Sequence, residues 1–290
     1  MVRKIENEYF VAEINDFGAE LVSLKSKTTG IEYLWQGNPE YWKGRAPILF
    51  PICGRLYQGK YIYMGKEYEM TLHGIARFFE YTLTCFEKNK ISLTLTANEK
   101  TKESYPFDFE FTVTYTLKET SLETEFKIKN NDNSVMPFSY GGHPGFNVPF
   151  TNEDSFEDYY VEFNENKLIR MISSDACLHT ENKEDYILED KKLCLRHDLF
   201  DNSLFFEMKD GSVRLKSNKN TTTLEVSFSD MTCLGLWHKP KSDAPYVCIE
   251  PWHGVPADDG KIDDLSTKRQ MILLNSNEEY IGAYSIKITE

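Results

Sequence analysis

Within these 290 residues, six histidines and a few charged side chains set beside glycine and proline are the groups able to do chemistry. In Tyr140-Gly141-Gly142-His143-Pro144-Gly145-Phe146-Asn147, three glycines and a proline surround one histidine. The backbone there is expected to take unusual torsions close to something that needs room. A structural turn with an incidental His143 would explain the same glycines. Leu72-His73-Gly74-Ile75-Ala76-Arg77 places a second histidine after a short polar connection, with a capped loop as the plainer reading. Val247-Cys248-Ile249 reads as a buried strand, and Glu250 arrives at its end before a proline that cannot extend the ladder. A carboxylate at the mouth of a β-core suits proton transfer if burial raises its pKa. An exposed edge glutamate paired to a lysine is the alternative. In Phe50-Pro51-Ile52-Cys53-Gly54-Arg55-Leu56, Arg55 follows a glycine and could grip oxygens with its fork of donors, although surface arginines are common.

Other chemistries find less support. Cys233/His238 and Cys248/His253 repeat a C-x4-H spacing, but residues five apart on a strand face opposite sides, so no metal site is expected. No GxxxxGK[ST] or post-strand GxGxxG occurs, which argues against a bound nucleotide, and there is no GxSxG elbow. The pair Asp258-Asp259 could invite a glycosidase reading, but a solvated loop explains it more simply.

The elements that must position these groups are strands. Phe109, Phe111, Val113, Tyr115 and Leu117 alternate with Glu110, Thr112, Thr114 and Thr116, which sends the two sets to opposite faces. Ile91, Leu93 and Leu95 alternate in the same way, and 122–128 continues the pattern until the Asn130–Asn133 cluster ends it. Further strands are expected at 9–14, 159–163, 203–207, 212–216, 222–228, 234–238, 246–250, 270–274 and 284–289, with one helical turn at 38–43. Short strands at regular spacing without a Gly/Pro/Ser linker predict an all-β antiparallel sandwich with very little helix, one domain over residues 1–290. The 33 Lys+Arg against 46 Asp+Glu give a formal charge of −13, a field that disfavours nucleic acid and anionic membrane surfaces as partners. The N-terminus shows no apolar signal segment, and nowhere do 18 apolar residues run together. Six scattered cysteines without a CxxC pair read as reduced thiols, so a cytoplasmic protein is expected.

Taken together, the segments resemble the aldose 1-epimerase (galactose mutarotase-like) family, most closely its compact bacterial LacX-type branch. The order fits along nearly the whole chain: Asp16-Phe17-Gly18-Ala19-Glu20-Leu21 as an opening hairpin, then Gly54-Arg55-Leu56, Leu72-His73-Gly74, Gly142-His143-Pro144-Gly145-Phe146-Asn147 and Ile249-Glu250-Pro251-Trp252. The resemblance implies a β-supersandwich that interconverts the α and β anomers of an aldose. It implies that His143 and Glu250 are the proton-transfer pair and that Arg55 and His73 hold the sugar. The family's hydroxyl-binding Asp is placed at Asp201, in Leu199-Phe200-Asp201-Asn202-Ser203, where the motif match is poor. His73-Gly74-Ile75-Ala76-Arg77 and Arg45-Ala46-Pro47 look more like the hexose-6-phosphate mutarotase branch, which makes Arg77, and with it Arg45, a candidate phosphate contact; pairing of Arg77 with Glu80 is the structural alternative.

The residue types suit this chemistry independently. Mutarotation opens a hemiacetal by removing the O1 proton and protonating the ring O5, so one base and one acid suffice, and they exchange roles on closing. Glu250 as carboxylate is the natural base and His143 as imidazolium the natural acid, with Arg55 and His73 orienting oxygens and stabilising developing charge. No metal or organic cofactor is required. A hexose-6-phosphate mutarotase and a non-catalytic carbohydrate-binding module remain as competing readings.

Overall fold

A computed structural model describes residues 1–208 and 211–290. Alternation sets the architecture. Phe109–Lys118 buries every second side chain, as does its hairpin partner Ser121–Asn130. These strands sit within a nine-stranded antiparallel sheet. From one edge it runs through Lys192–Cys194, Tyr159–Glu162, Gly211–Ser217, Thr223–Phe228 and Glu279–Thr289, then on to Ser121–Asn130, Phe109–Lys118, Lys90–Thr96 and Thr82–Phe86. A second sheet of eight strands lies against it, in the order His179–Ile187, Lys167–Ser173, Leu204–Glu207, Cys233–Trp237, Tyr246–His253, Tyr140–Gly142 and Ile48–Leu49, with Gly145–Asn147 also on Tyr246–His253. Phe50 stacks on Phe111 at 4.4 Å and Phe126 meets Tyr140 edge-on at 5.3 Å, joining the two layers through aromatic faces. One apolar cluster runs from Ile5 to Ile288. Each fully buried side chain of this kind is worth about 1.5–3 kcal/mol of transfer free energy.

The expected strands are present, and the architecture is all-β. The single turn expected at 38–43 is a hydrogen-bonded turn, with Tyr41 and Trp42 N–H donating to Asn38 O. Among the described residues the α-helix is Glu99–Ser104, which the sequence reading did not anticipate, started by a capping box in which Asn98 accepts from Lys100 and Thr101 N–H. Finally, the strand bearing Glu250 does not end at Pro251 but runs through it to His253. Ile249 N–H donates to Pro144 O at 3.1 Å, so the nitrogen two residues on points the same way, toward Gly142 at the end of the short strand Tyr140–Gly142. The proline removes a ladder donor only where that pairing ends.

Among the described residues no helix is long and apolar enough to cross a membrane.

Candidate active site

The central strands Cys233–Trp237 and Tyr246–His253 of the eight-stranded sheet are buried on both faces, and the period of two divides their side chains. Leu234, Leu236, Val247 and Ile249 join the main core. Cys233, Gly235 and Trp237 lie opposite Trp252, Glu250 and Cys248, and they occupy the other face, turned away from the nine-stranded sheet. Phe205 pairs with Gly235, so Phe205, Gly235 and Glu250 form one row across three strands. A Cβ at Gly235 would sit 3.3 Å from the Glu250 Cβ, so the glycine leaves that carboxylate its room.

His143 faces Glu250 because of register. Gly141 pairs with Trp252 and Gly145 with Cys248, which puts the residue midway between them opposite Glu250. The glycines around His143 serve close approach rather than left-handed torsions: none has positive φ, and a Cβ at Gly142 would stand 2.6 Å from the Tyr284 ring. His143 Nε2 lies 3.2 Å from Glu250 Oε2. Both residues are buried, Glu250 to 2% exposure, so the expected placement at the mouth of the core gives way to one deep in the cavity wall.

Burial decides the charge states. It pushes the Glu250 carboxyl well above the ordinary carboxylate range, because the ionised form loses its water. The same desolvation, with the nearby Arg77 charge, pushes His143 down to about 3. Both directions oppose charge: burial disfavours the carboxylate and the imidazolium that the sequence reading names as base and acid.

His73 enters from Thr71–Ile75, a turn in which it holds φ +64°. It donates its backbone N–H to Gly54 O at 2.9 Å, and its Nδ1 accepts Gly54 N–H at 3.1 Å. An accepting Nδ1 leaves the proton on Nε2. Burial first, then His143, Arg77 and Arg55, lower its pKa and keep the ring neutral. Its ring meets those of His143 and Trp252 edge-on, each at 5.3 Å.

These groups line a cavity of about 300 Å³ together with Arg55 and Arg77. Arg77 donates from Nη2 to Leu72 O at 3.0 Å, its guanidinium lies 4.7 Å over Phe78, and its Nε is buried without a hydrogen-bond partner. Glu80 faces the chain's amino terminus instead, at 3.7 Å. Arg45 does not line the cavity; it donates to Val22 O at 2.6 Å and ties its loop to the strand Glu20–Ser26. Asp201 is not brought to the site either. It closes the short 3-10 segment His197–Asp201, is exposed, and accepts from Lys241 N–H at 3.2 Å, while Ser203, two residues on, reaches the cavity. The turn aims Asp201 at the 239–243 loop, a direction that spacing alone does not carry. Asp258 accepts from Arg269 at 3.3 Å outside the cavity.

Sequence reasoning missed the aromatic wall. Trp42, Trp237 and Trp252 line the cavity, three of the four tryptophans in the chain. Trp42 lies 5.0 Å from the His143 ring at 32°, and Trp237 meets His143 edge-on at 5.7 Å. The scarcity of tryptophan was the available signal.

Neither C-x4-H pair forms a metal cluster. Among the described residues, the side chains able to hold an ion are His143, Cys248 and Glu250, whose ligand atoms lie within 4.8 Å of one another. Burial holds the Cys248 thiol protonated, and ligation there would consume both members of the proton-transfer pair.

The family model for aldose 1-epimerase matches residues 1–287. The chain belongs to the aldose 1-epimerase family. It is 34% identical over 266 residues to the plasmid and chromosomal LacX proteins of Lactococcus lactis subsp. lactis, an alignment covering 88% of each chain. Among solved structures, a galactose mutarotase related enzyme from Lactobacillus acidophilus superposes with a TM-score of 0.96 at 37% identity, over 100% of this chain and 98% of that one. A galactose mutarotase-like protein from Lactobacillus casei gives 0.95 at 30%, covering both chains fully. Membership makes the protein an isomerase with a sugar substrate and confirms the galactose mutarotase-like β-supersandwich expected from the motifs.

Proposed function

We propose that the protein interconverts the α and β anomers of a hexose, with His143 and Glu250 as the catalytic acid–base pair. The observation that carries this reading is their 3.2 Å contact, buried in a cavity walled by tryptophan. On ring opening, Glu250 takes the O1 proton while His143 delivers one to O5, and closing on either face reverses both transfers. His73, neutral with its proton on Nε2, and Arg55 supply donors to the sugar oxygens. The indoles offer flat apolar faces to the C–H surfaces of the ring. Six free cysteines support a reducing, cytoplasmic setting. The test is polarimetry of freshly dissolved α-glucose or α-galactose, backed by anomeric exchange spectroscopy at equilibrium. Accelerated relaxation supports the reading. Saturable sugar binding without exchange would identify a carbohydrate-binding module instead.

A second reading, a hexose-6-phosphate as substrate, is favoured by Arg55 and Arg77 on the cavity wall and by the unpartnered Nε of Arg77. A guanidinium fork matches phosphate oxygens, and two on one wall would select an anionic sugar despite the net charge of −13. Arg77→Ala should then lose the 6-phosphate selectively, by tenfold or more in kcat/KM at about 1.4 kcal/mol per decade. Equal losses on free and phosphorylated sugar assign Arg77 to structure.

A further inference from the structure

Behind the cavity wall lies a buried cation that the proposed chemistry does not use. Lys268 is 4% exposed and donates from Nζ to Val255 O at 2.6 Å. It sits in the turn-rich segment 264–270, which is anchored to the strand Lys60–Tyr63 by Leu265 N–H donating to Ile62 O and Ile62 N–H donating to Asp263 O, each at 2.8 Å. The same segment reaches the loop after Glu250 a second time: Thr232 Oγ1 donates to Gln270 Oε1 and accepts Gly254 N–H.

What this strap holds is substrate wall. Val255 precedes Pro256, which lines the cavity, and Pro256 packs so closely on Gly54 that a Cβ there would meet its Cγ at 2.6 Å. Next, Ala257 N–H donates to Arg55 O at 2.8 Å, and Arg55 lines the cavity beside His73. One carbonyl thus connects a buried ammonium to the segment carrying the sugar-gripping arginine.

We propose that Lys268 is a positioning residue for substrate binding, fixing the 254–257 loop through the Val255 carbonyl and, through that loop, the place of Pro256 and Arg55. A buried ammonium is costly to desolvate, and it persists here with a peptide oxygen as its hydrogen-bond partner. Burial also pushes its pKa down to about 8, which accords with a dry site. A charge-assisted bond to a carbonyl is stronger and stiffer than a neutral one.

The inference rests on the mutarotase reading for its turnover arm and on sugar affinity alone for its binding arm. Lys268→Met keeps the aliphatic stem and removes the donors; Lys268→Gln keeps a weaker donor. Aldose affinity is read by quenching of the cavity tryptophans, kcat and KM by polarimetry, and loop order by hydrogen exchange at 254–257 against 246–250. In K268M, Kd and KM should rise about tenfold with kcat within about threefold, exchange should quicken at 254–257 only, and K268Q should fall between parent and K268M. Should K268M fail to fold, K268Q carries the test. Folded variants with parental Kd and KM, or losses that track only the folded fraction, overturn the proposal. A parent that binds sugar without turning it over sinks the mutarotase reading and leaves the affinity ratio as the measure of Lys268; a parent that binds no aldose overturns both.

Discussion

Glu250→Gln tests the site twice, through rate and through stability, with opposite signs. The amide preserves shape and can still donate to or accept from His143, so sugar affinity should survive. It cannot take the O1 proton, and a lost proton transfer costs about 10²–10⁴ in rate, or about 2.7–5.4 kcal/mol at the barrier. Stability should move the other way. Glu250 has its folded pKa raised by burial above the ordinary value of 4.5. Below that unfolded value both states hold the proton and the carboxyl imposes no titration penalty. As pH rises from 4.5 toward the folded pKa, the unfolded chain releases its proton first, and the parent loses about 1.4 kcal/mol of stability per pH unit. The amide does not titrate, so the advantage of E250Q over the parent should grow with pH across that window and then level off. His143 titrates in both proteins and largely cancels from the difference. Urea unfolding at pH 5, 6, 7 and 8, beside polarimetry at pH 7, measures both. A stability difference that ignores pH would mean that water solvates the carboxylate and that burial is not what shifts it. Near-parental anomerisation by the variant removes Glu250 from the chemistry.

The pH–rate profile of the parent should be a wide bell. Its acid limb, where the pair gains a second proton, is displaced toward the value of about 3 to which burial pushes His143, and its alkaline limb lies well above the ordinary carboxylate range. Limbs at the unperturbed values of roughly 4.5 and 6.5 would refute the burial argument; circular dichroism at each pH separates titration from unfolding, and His143→Asn should lose about 10²-fold throughout. Trp237→Ala opens the wall beside His143 and should weaken hexose affinity about tenfold, read by calorimetry; unchanged affinity would leave the indole as packing alone.

The strands were legible because each carries its own period. Phe109–Leu117 alternates so cleanly that both its existence and its buried face could be read in advance; the glycines and proline around His143 and the strand before Glu250 made each a candidate, while their role as a pair was implied by the family resemblance. What escaped depends on register between distant strands. No local pattern says that Gly141 pairs with Trp252, and so none says that His143 faces Glu250 across one rung. Trp42 and Trp237 come from a loop and a strand about two hundred residues apart, and only the folded sheet brings both to His143. Asp201 fails for a related reason: a motif fixes residue type and neighbourhood, whereas a short 3-10 turn decides which side chain points inward, and here it sends Ser203 in and Asp201 out.

The direct contact of acid and base also bears on how one site serves both anomers. Ring opening needs the proton on His143 and a bare carboxylate, whereas closing needs the proton on Glu250 and a neutral imidazole; the net charge of the pair is the same in both. Burial favours the second arrangement, since it pushes the carboxyl up and the imidazole down. In the proposed mechanism the empty site therefore rests in the form that closes rings. A proton crossing the 3.2 Å contact converts it to the form that opens them, without water or a third group. The cost of that crossing is the separation of charge between two buried side chains, and in the proposed mechanism the sugar reduces it by bringing hydroxyls to the carboxylate. In the proposed mechanism the direct contact, not the burial, lets the two forms interconvert inside the protein, which a reaction running in both directions requires.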